Sequence, residues 1–89
     1  MKIFTRIVLP EYPYDARKYG RSGRGVYRAE VNEGGRVTRV IVIKSAGDRS
    51  MDDAVVRAAQ NWQARPGKRM EVDFPLVFTA PPMTVHTRR

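Results

Sequence analysis

The feature that most constrains the fold is a run of spaced valines that ends in a turn of small residues. Three valines follow Gly35 within one predicted strand: Val37, Val40 and Val42. Ser45-Ala46-Gly47 comes next, which predicts a tight turn into a new element. The first valine step spans three residues, so strict alternation would split the valines between two faces. A bulge near Thr38-Arg39 would return them to one face and leave Ile41 and Ile43 on the other.

An amphipathic helix is predicted directly after this turn. Its apolar positions recur at helical spacing: Met51, Ala54, Val55, Ala58 and Trp62. Ser50, with Asp53 three residues later, predicts a capping box, and Asp52 adds negative charge to the first turn. Arg65-Pro66-Gly67 is expected to end the helix. We therefore expect Trp62 to close the apolar stripe and to be buried against a sheet.

Two more strands are predicted on either side of these elements. Alternating apolar residues from Tyr27 to Val31 indicate a strand with one buried face, and residues 32–35 supply the turn that joins it to the valine-rich strand. The last strand is expected over about Glu71 to Phe78. Its inward side chains would be Val72, Phe74, Leu76 and Phe78. Pro75 has no backbone N–H to donate, so this strand is predicted to lie at an edge of the sheet.

The N-terminal segment is expected to be less regular. Residues 1–11 form an arm that either adds a short strand or stays loosely held. Pro13 suits the first position of a helix, which would run to Tyr19 and be capped by Gly20, with Tyr12 packing nearby. Two helix side chains are predicted to face inward: Ala16 and Tyr19.

The remaining segments set the domain limits. The glycine-rich residues 20–25 predict a hinge rather than a helix, and residues 79–89 predict a disordered tail without periodicity. One small domain over residues 1–78 is therefore expected. The sequence has no cysteine and no apolar run near the 18 residues that a membrane span needs. The apolar run near the N-terminus is too short for a signal peptide.

Charge is unevenly distributed along the chain. The net charge is +8, and residues 16–44 hold eight basic side chains against two acidic ones. Such a field attracts polyanions and acidic surfaces. A solvated, arginine-rich surface without a ligand explains the composition equally well. The basic face would include Arg17, Lys18, Arg21, Arg24 and Arg28.

The residue types that catalysis requires are scarce. The single histidine, His86, lies in the predicted tail, so no metal site and no cofactor are expected. Asp52 and Asp53 are adjacent on a helix and point about 100° apart, which favours a capping role over acid–base chemistry. No serine has a base partner in a nucleophilic arrangement. We therefore predict that the chain is not an enzyme.

Together these patterns resemble the C-terminal domain of TonB-type energy transducers over about Tyr12 to Phe78. That family's pattern includes YP-x-x-A, matched by residues 12–16, and G-x-V-x-x-V-x-V-x-x-S-x-G, matched by residues 35–47. A helix that ends near Trp62 follows, and the last strand over residues 72–78 ends in phenylalanine. No single piece carries the resemblance, but the order of the pieces does.

The expected fold is α+β, with two helices on one face of a three-stranded antiparallel sheet, or a four-stranded one if the arm joins. The resemblance implies a periplasmic domain that binds the TonB-box peptide of an outer-membrane transporter and transmits force from an inner-membrane motor, as in siderophore-bound iron uptake. Strand addition to the last strand is the implied mode of binding. The expected partner contacts are Tyr12, Pro13, Val72, Asp73, Phe74, Pro75, Leu76, Val77 and Phe78.

Other interpretations stay open. Coupling to a motor needs a transmembrane anchor that this sequence lacks, so we expect either the functional end of a longer, inner-membrane-anchored transducer or a free-standing domain. Without an export signal, a free-standing domain would be cytoplasmic and would act as a decoy, an adaptor or a nucleic-acid binder. The Gly20-Arg-Ser-Gly23 step is similar to a KH-domain loop, but a strand follows it, so nucleic acid is disfavoured. Exposed strand edges also predict a weak homodimer.

Overall fold

Between residues 3 and 79, which the computed structural model describes, the chain forms two helices and five strands. In chain order the elements are β1 (Phe4–Arg6), α1 (Tyr14–Lys18), β2 (Gly23–Val31), β3 (Val37–Lys44), α2 (Arg49–Ala59), β4 (Gln63–Ala64) and β5 (Met70–Phe78). The strands form a three-stranded antiparallel sheet in the order β3-β2-β5 and a small two-stranded sheet of β1 and β4. The predicted α+β class is confirmed.

The central strand β2 follows the predicted alternation. Tyr27, Ala29 and Val31 are at most 1% exposed, and the residues between them are partly exposed. The turn into β3 is held by Asn32, whose side-chain oxygen accepts hydrogen bonds from the N–H groups of Gly34 and Arg36, each at 3.0 Å. Gly35 has φ +85°, a conformation that a side chain disfavours. Turn chemistry therefore fixes the register of the hairpin.

The predicted bulge in β3 is present. The pairing with β2 shifts between Glu30 and Val31, which leaves Thr38 as the extra residue. Val37, Val40 and Val42 consequently lie opposite the three buried residues of β2 and share the face that packs on α2. A second shift occurs at Ile43. Ile41 lies opposite Arg28 on the other face, as expected.

Helix α2 and the aromatic residues of the sheet form the core. The predicted stripe is buried as far as the helix extends, and Trp62, which lies beyond the last helical residue, is 3% exposed. Its ring centroid lies 5.0 Å from that of Phe4 and 4.7 Å from that of Phe74, and its indole N–H donates to the carbonyl of Val8 at 2.8 Å. The expected burial of Trp62 is confirmed.

The N-terminal arm does form a strand, but not in the main sheet. Strand β1 pairs with β4, the two-residue strand that follows Trp62, so the main sheet keeps three strands. Phe4 is buried against Trp62, whereas Ile43 on β3 stays 47% exposed. The arm is thus committed to β4 and Trp62 and does not cover Ile43. The weak homodimer predicted from the uncovered sheet face stays a prediction.

The ends of α2 differ from the prediction. The N-cap is Asp48, whose carboxylate accepts from the N–H of Ser50 at 2.9 Å, so the expected Ser50–Asp53 capping box is wrong. The helix stops at Ala59 rather than at Arg65, because the chain turns to pair β4 with β1. A tertiary contact therefore ends the helix before the proline that marks its end in the sequence.

Two predictions in the N-terminal half also need correction. Helix α1 is one residue shorter at each end than expected, and Tyr19 is 65% exposed rather than inward, although Ala16 is fully buried. The predicted hinge over residues 20–25 is half strand, because β2 already begins at Gly23. The pairing of β2 with β5 extends to this glycine and orders it.

The predicted tail and His86 lie outside the described residues, apart from Thr79, which is in neither helix nor strand. The domain limits of residues 1–78 stay a prediction.

Candidate functional site

The candidate site is the outer edge of β5. This strand pairs with β2 over nine consecutive residues, from Gly23 opposite Phe78 to Val31 opposite Met70, without a shift in register. Within the described part of the chain no strand pairs with its other side. The predicted edge position of the last strand is confirmed. An edge strand of this kind presents unpaired N–H and C=O groups to an incoming chain.

The side chains of β5 alternate as the sequence predicts. Val72, Phe74 and Phe78 are at most 8% exposed and anchor the strand to the core, and Leu76 is half-buried. Pro75 lies opposite Val26 in the middle of the strand. The inward residues anchor the strand to the core, and its unbroken pairing with β2 keeps its backbone regular.

One ion pair crosses the open face of the sheet next to this edge. The guanidinium of Arg28 donates to both carboxylate oxygens of Asp73, at 2.7 and 3.1 Å. This hydrogen bonding lowers the pKa of the Asp73 carboxyl and raises that of the Arg28 guanidinium. Asp73 is therefore committed to Arg28 and lends the edge little free negative charge.

The opposite edge of the sheet is less regular. Strand β3 carries two register shifts against β2, one at Thr38 and one at Ile43. Bulges bend a strand and increase its twist, and proteins use them to blunt exposed edges. Val42 and Ile43 are 40% and 47% exposed at this edge. Of the two edges, β5 has the more regular backbone.

Tyr12 lies beside the end of β5, and the predicted partner contacts at Tyr12 and Pro13 stay a prediction. The ring of Tyr12 packs edge-on against Phe78 at 5.3 Å, and its hydroxyl donates to the carbonyl of Arg21. Pro13 is half-buried just before α1. Sequence reasoning missed Leu9, which is 80% exposed and lies beside the same strand end. The Leu9-Pro10 step, an apolar residue held extended by proline, was a usable signal.

The predicted basic residues do not act as one set of free charges. Arg21 pairs with Asp48 at 3.1 Å, and Arg28 pairs with Asp73. The ammonium of Lys18 lies 5.5 Å from the ring centroid of Tyr19. Arg17 lies in α1 and Arg24 is exposed on β2. Arg21 and Arg28 therefore each have a carboxylate partner, which weakens the field that a polyanion would meet.

A buried carboxylate that the sequence assigned only to the helix terminus connects three elements. Asp52 is 8% exposed and accepts hydrogen bonds from the Tyr27 hydroxyl at 2.7 Å, the Ser45 hydroxyl at 2.5 Å and the Ala46 N–H at 2.9 Å. Burial raises the pKa of the Asp52 carboxyl, but these hydrogen bonds outweigh it, so the pKa lies below its usual value. Asp52 is a structural clamp that joins α2 to β2 and to the turn after β3.

Across residues 3–79 no group of three or more histidine, cysteine, aspartate or glutamate side chains is arranged to hold a metal ion. Neither helix in this range is long and apolar enough to cross a lipid bilayer.

Fold and site together define a small α+β domain in which helices cover one face of an antiparallel sheet and the edge strand β5 has an unbroken register. The chain matches the family model for the C-terminal region of Gram-negative bacterial TonB proteins over residues 8–80. It therefore belongs to the TonB C-terminal domain family.

Two relatives from Pseudomonas aeruginosa illustrate the likeness. The chain is 37% identical to Protein tonB2 over 60 residues, an alignment that covers 67% of this chain and 22% of that protein. The solution NMR structure of the P. aeruginosa TonB C-terminal domain superposes with a TM-score of 0.73 at 24% identity, covering 97% of this chain and 88% of that one. The fold is shared with that structure. The chain spans about a fifth of the length of Protein tonB2.

Proposed function

We propose that this chain binds the TonB-box peptide of an outer-membrane transporter, and that the peptide adds as a fourth strand to the outer edge of β5. TonB C-terminal domains in general are non-enzymatic binding domains that interact with such transporters. The observation that carries the proposal is the unbroken nine-residue pairing of β5 with β2 beside an outer edge that no described strand covers. A regular, anchored edge supplies main-chain hydrogen bonds with little demand on the peptide's sequence.

The choice of edge follows from backbone geometry. An added strand needs a run of regularly spaced donors and acceptors, and each bulge interrupts that run. Strand β3 has two such interruptions, whereas β5 loses only the single N–H that Pro75 lacks. The proline also protects the edge against self-pairing, because it removes one donor from the template.

The proposed role is mechanical. A pull along a strand that is paired in register loads several hydrogen bonds at once, and β5 passes this load to β2 through nine residue pairs. The force would come from an inner-membrane motor through the remainder of a longer transducer in the periplasm, and the transport it drives would be that of cargo such as iron–siderophore complexes.

The test is an NMR titration of ¹⁵N-labelled protein with a synthetic TonB-box peptide. The largest amide shifts are expected from Val72 to Phe78, with smaller ones along β2, the strand paired with β5. The matched control is the same peptide with a central proline, which cannot complete the ladder and is expected to bind much more weakly. Shifts that cluster instead on the residues around Arg24 and Lys18 would overturn strand addition at β5.

Salt separates this proposal from the nucleic-acid alternative. Binding through backbone hydrogen bonds is expected to change little between about 50 and 200 mM salt, whereas a protein that contacts several phosphates loses orders of magnitude in affinity over that range. The same titration at both salt concentrations, with a single-stranded oligonucleotide as the second ligand, distinguishes the two.

A further inference from the structure

An apolar groove opens at the end of the candidate edge. It has a volume of about 290 Å³ and lies between the N-terminal arm and the last residues of β5. The arm contributes Leu9, Pro10 and Tyr12, and the strand contributes Leu76, Val77 and Phe78. Leu9 is 80% exposed, the highest value among the exposed large apolar residues in the described part of the chain. The Val77 side chain alternates to the open face of the sheet, so the apolar surface that the groove offers on the helix-covered face comes from Leu9, Leu76 and Phe78.

The charge of the groove distinguishes it from the surrounding surface. Charged residues make up 29% of the chain, yet none of the residues that line the groove carries a formal charge. Exposed apolar patches with polar surroundings mark binding sites in soluble proteins. The volume is at the lower limit of the roughly 300–1,000 Å³ that small-molecule pockets occupy, which fits one or two side chains better than a whole ligand.

We propose that this groove receives one large aliphatic side chain of the peptide that adds to β5, and that Leu9 is the residue that selects for it. The inference rests on the proposed function, because it specifies which peptides that edge accepts. Backbone pairing alone is nearly indifferent to sequence, so a side-chain pocket is what gives an edge its specificity.

Strand geometry places the selected side chain. Side chains on a strand alternate between the two faces of a sheet, and residues directly opposite one another share a face. Phe78 is buried on the helix-covered face, and Tyr12 packs against it there. A peptide residue opposite Leu76 or Phe78 therefore points to the same face. There it lies beside the wall of the groove that the arm forms with Leu9, Pro10 and Tyr12. Peptide residues on alternate positions point to the open face, where Arg28 and Asp73 lie.

The wall is fixed before a peptide arrives. Tyr12 is held at both ends, by ring contact with Phe78 and by the hydrogen bond from its hydroxyl to the carbonyl of Arg21. Val8 lies between Ile7 and Leu9 on the arm, and its backbone carbonyl accepts a hydrogen bond from the Trp62 indole N–H at 2.8 Å. Leu9 is thus carried on an anchored backbone, so little ordering entropy opposes its contact with a ligand.

The test is a double-mutant cycle between protein and peptide. Each residue of the TonB-box peptide is replaced by serine in turn, and affinities are measured by NMR titration for the wild type, Leu9→Ser and Ile7→Ser. In the wild type, one aliphatic position is expected to dominate. Leu9→Ser is expected to weaken the parent peptide about fivefold, which corresponds to roughly half the transfer free energy of a leucine side chain. Both substituted residues are exposed, so both variants are expected to fold.

The coupling is the decisive readout. In Leu9→Ser, replacing the dominant peptide residue by serine should lower the affinity little further, because the contact with Leu9 is already lost. In the control variant Ile7→Ser, which changes the same arm outside the groove, the same peptide substitution should lower the affinity as much as in the wild type. If β5 amides shift but no peptide position couples to Leu9, the groove proposal is wrong and strand addition stands. If the β5 amides do not shift, the proposed function itself fails. Groove amides that shift with protein concentration alone would assign the groove to a second copy of this chain and overturn the proposal.

Discussion

Replacing Asp52 is the sharpest test of how the fold is held together. Its Oδ1 atom accepts from both the Tyr27 hydroxyl and the Ala46 N–H, and its Oδ2 atom accepts from the Ser45 hydroxyl. Tyr27 is fully buried and Ala46 is 9% exposed, so neither donor can turn to water. The side chain thus joins α2 to the central strand and to the turn after β3.

The expected loss of stability in Asp52→Ala follows from the hydrogen-bond donors that lose their acceptor. Asp52→Ala orphans two buried donors, each at a cost of about 1–3 kcal/mol, which gives roughly 2–6 kcal/mol in all. The exposed Ser45 hydroxyl rehydrates and adds little. A domain of 89 residues has a free energy of unfolding of about 4–13 kcal/mol, so the variant loses a large share of its stability. Asp52→Asn keeps an oxygen for both buried donors and loses only the charge, so about 1–2 kcal/mol is expected.

The contribution of the Asp52 charge to the free energy of unfolding also depends on pH in a defined direction. The folded pKa of Asp52 lies below the value of about 3.9 for an unfolded aspartate, because its hydrogen bonds outweigh burial. The stability that its charge contributes is therefore present above about pH 4 and is lost as the pH falls through the folded value. The difference between wild type and Asp52→Asn should shrink as the pH is lowered from 7 to 3.

Urea denaturation followed by Trp62 fluorescence measures these differences. The matched control is Asp53→Ala, which removes a neighbouring carboxylate that is exposed and is expected to cost less than about 1 kcal/mol through the helix dipole. An Asp52→Ala variant no less stable than Asp53→Ala would refute the clamp. A difference between wild type and Asp52→Asn that does not change with pH would refute the assigned charge state.

Three further predictions concern the same core. Trp62→Ala removes a ring packed between Phe4 and Phe74 and should cost about 3–5 kcal/mol by urea denaturation followed by circular dichroism; a loss under about 1 kcal/mol would contradict its role. A Cβ at Gly25 would lie 2.4 Å from the Tyr27 hydroxyl, so Gly25→Ala should lower Tm by about 5–15 °C. Gly34→Ala, whose Cβ meets nothing closer than 3.5 Å, is the control and should change Tm little. Burial and the bond to Asp52 raise the pKa of Tyr27, so stability should fall above about pH 10, less steeply in Tyr27→Phe; equal slopes would contradict this.

The fold was predictable where local pattern and tertiary packing agree. The valine spacing alone required the bulge at Thr38, because no other register puts Val37, Val40 and Val42 on one face. Pro75 alone required an edge strand, since a central strand needs donors on both sides. Each of these constraints is steric and is contained within a few consecutive residues.

The prediction failed where a distant contact decided the local structure. Asp48 rather than Ser50 caps α2, and Asp48 also pairs with Arg21 from the loop before β2. The helix ends early because Ala64 pairs with Phe4 of the arm, 60 residues away in sequence. The buried role of Asp52 depends on a tyrosine from β2, which no pattern near Asp52 contains.

For the candidate site, the sequence identified the strand but not its surroundings. The inward residues of β5 follow from alternation. The contact of Tyr12 with Phe78 was not predicted. The groove beside the strand end was not predictable, because it depends on where the arm runs after β1 has paired with β4. Leu9 becomes a candidate contact only once the arm is placed.

The proposed mechanical role and the observed core fit one another through the central strand. A load applied to β5 reaches β2 along nine residue pairs, and β2 passes it on through two routes. One route is the hairpin with β3, and the other is the hydrogen bond from Tyr27 to Asp52, which ties β2 to α2. Hydrogen bonds that share a load along their whole length resist a pull better than bonds that break one at a time. In the proposed role, the clamp at Asp52 would stabilise the strand next to the one that receives the load, without contacting the peptide. The buried carboxylate connects β2 to α2, and β2 is the strand to which β5 would pass that load.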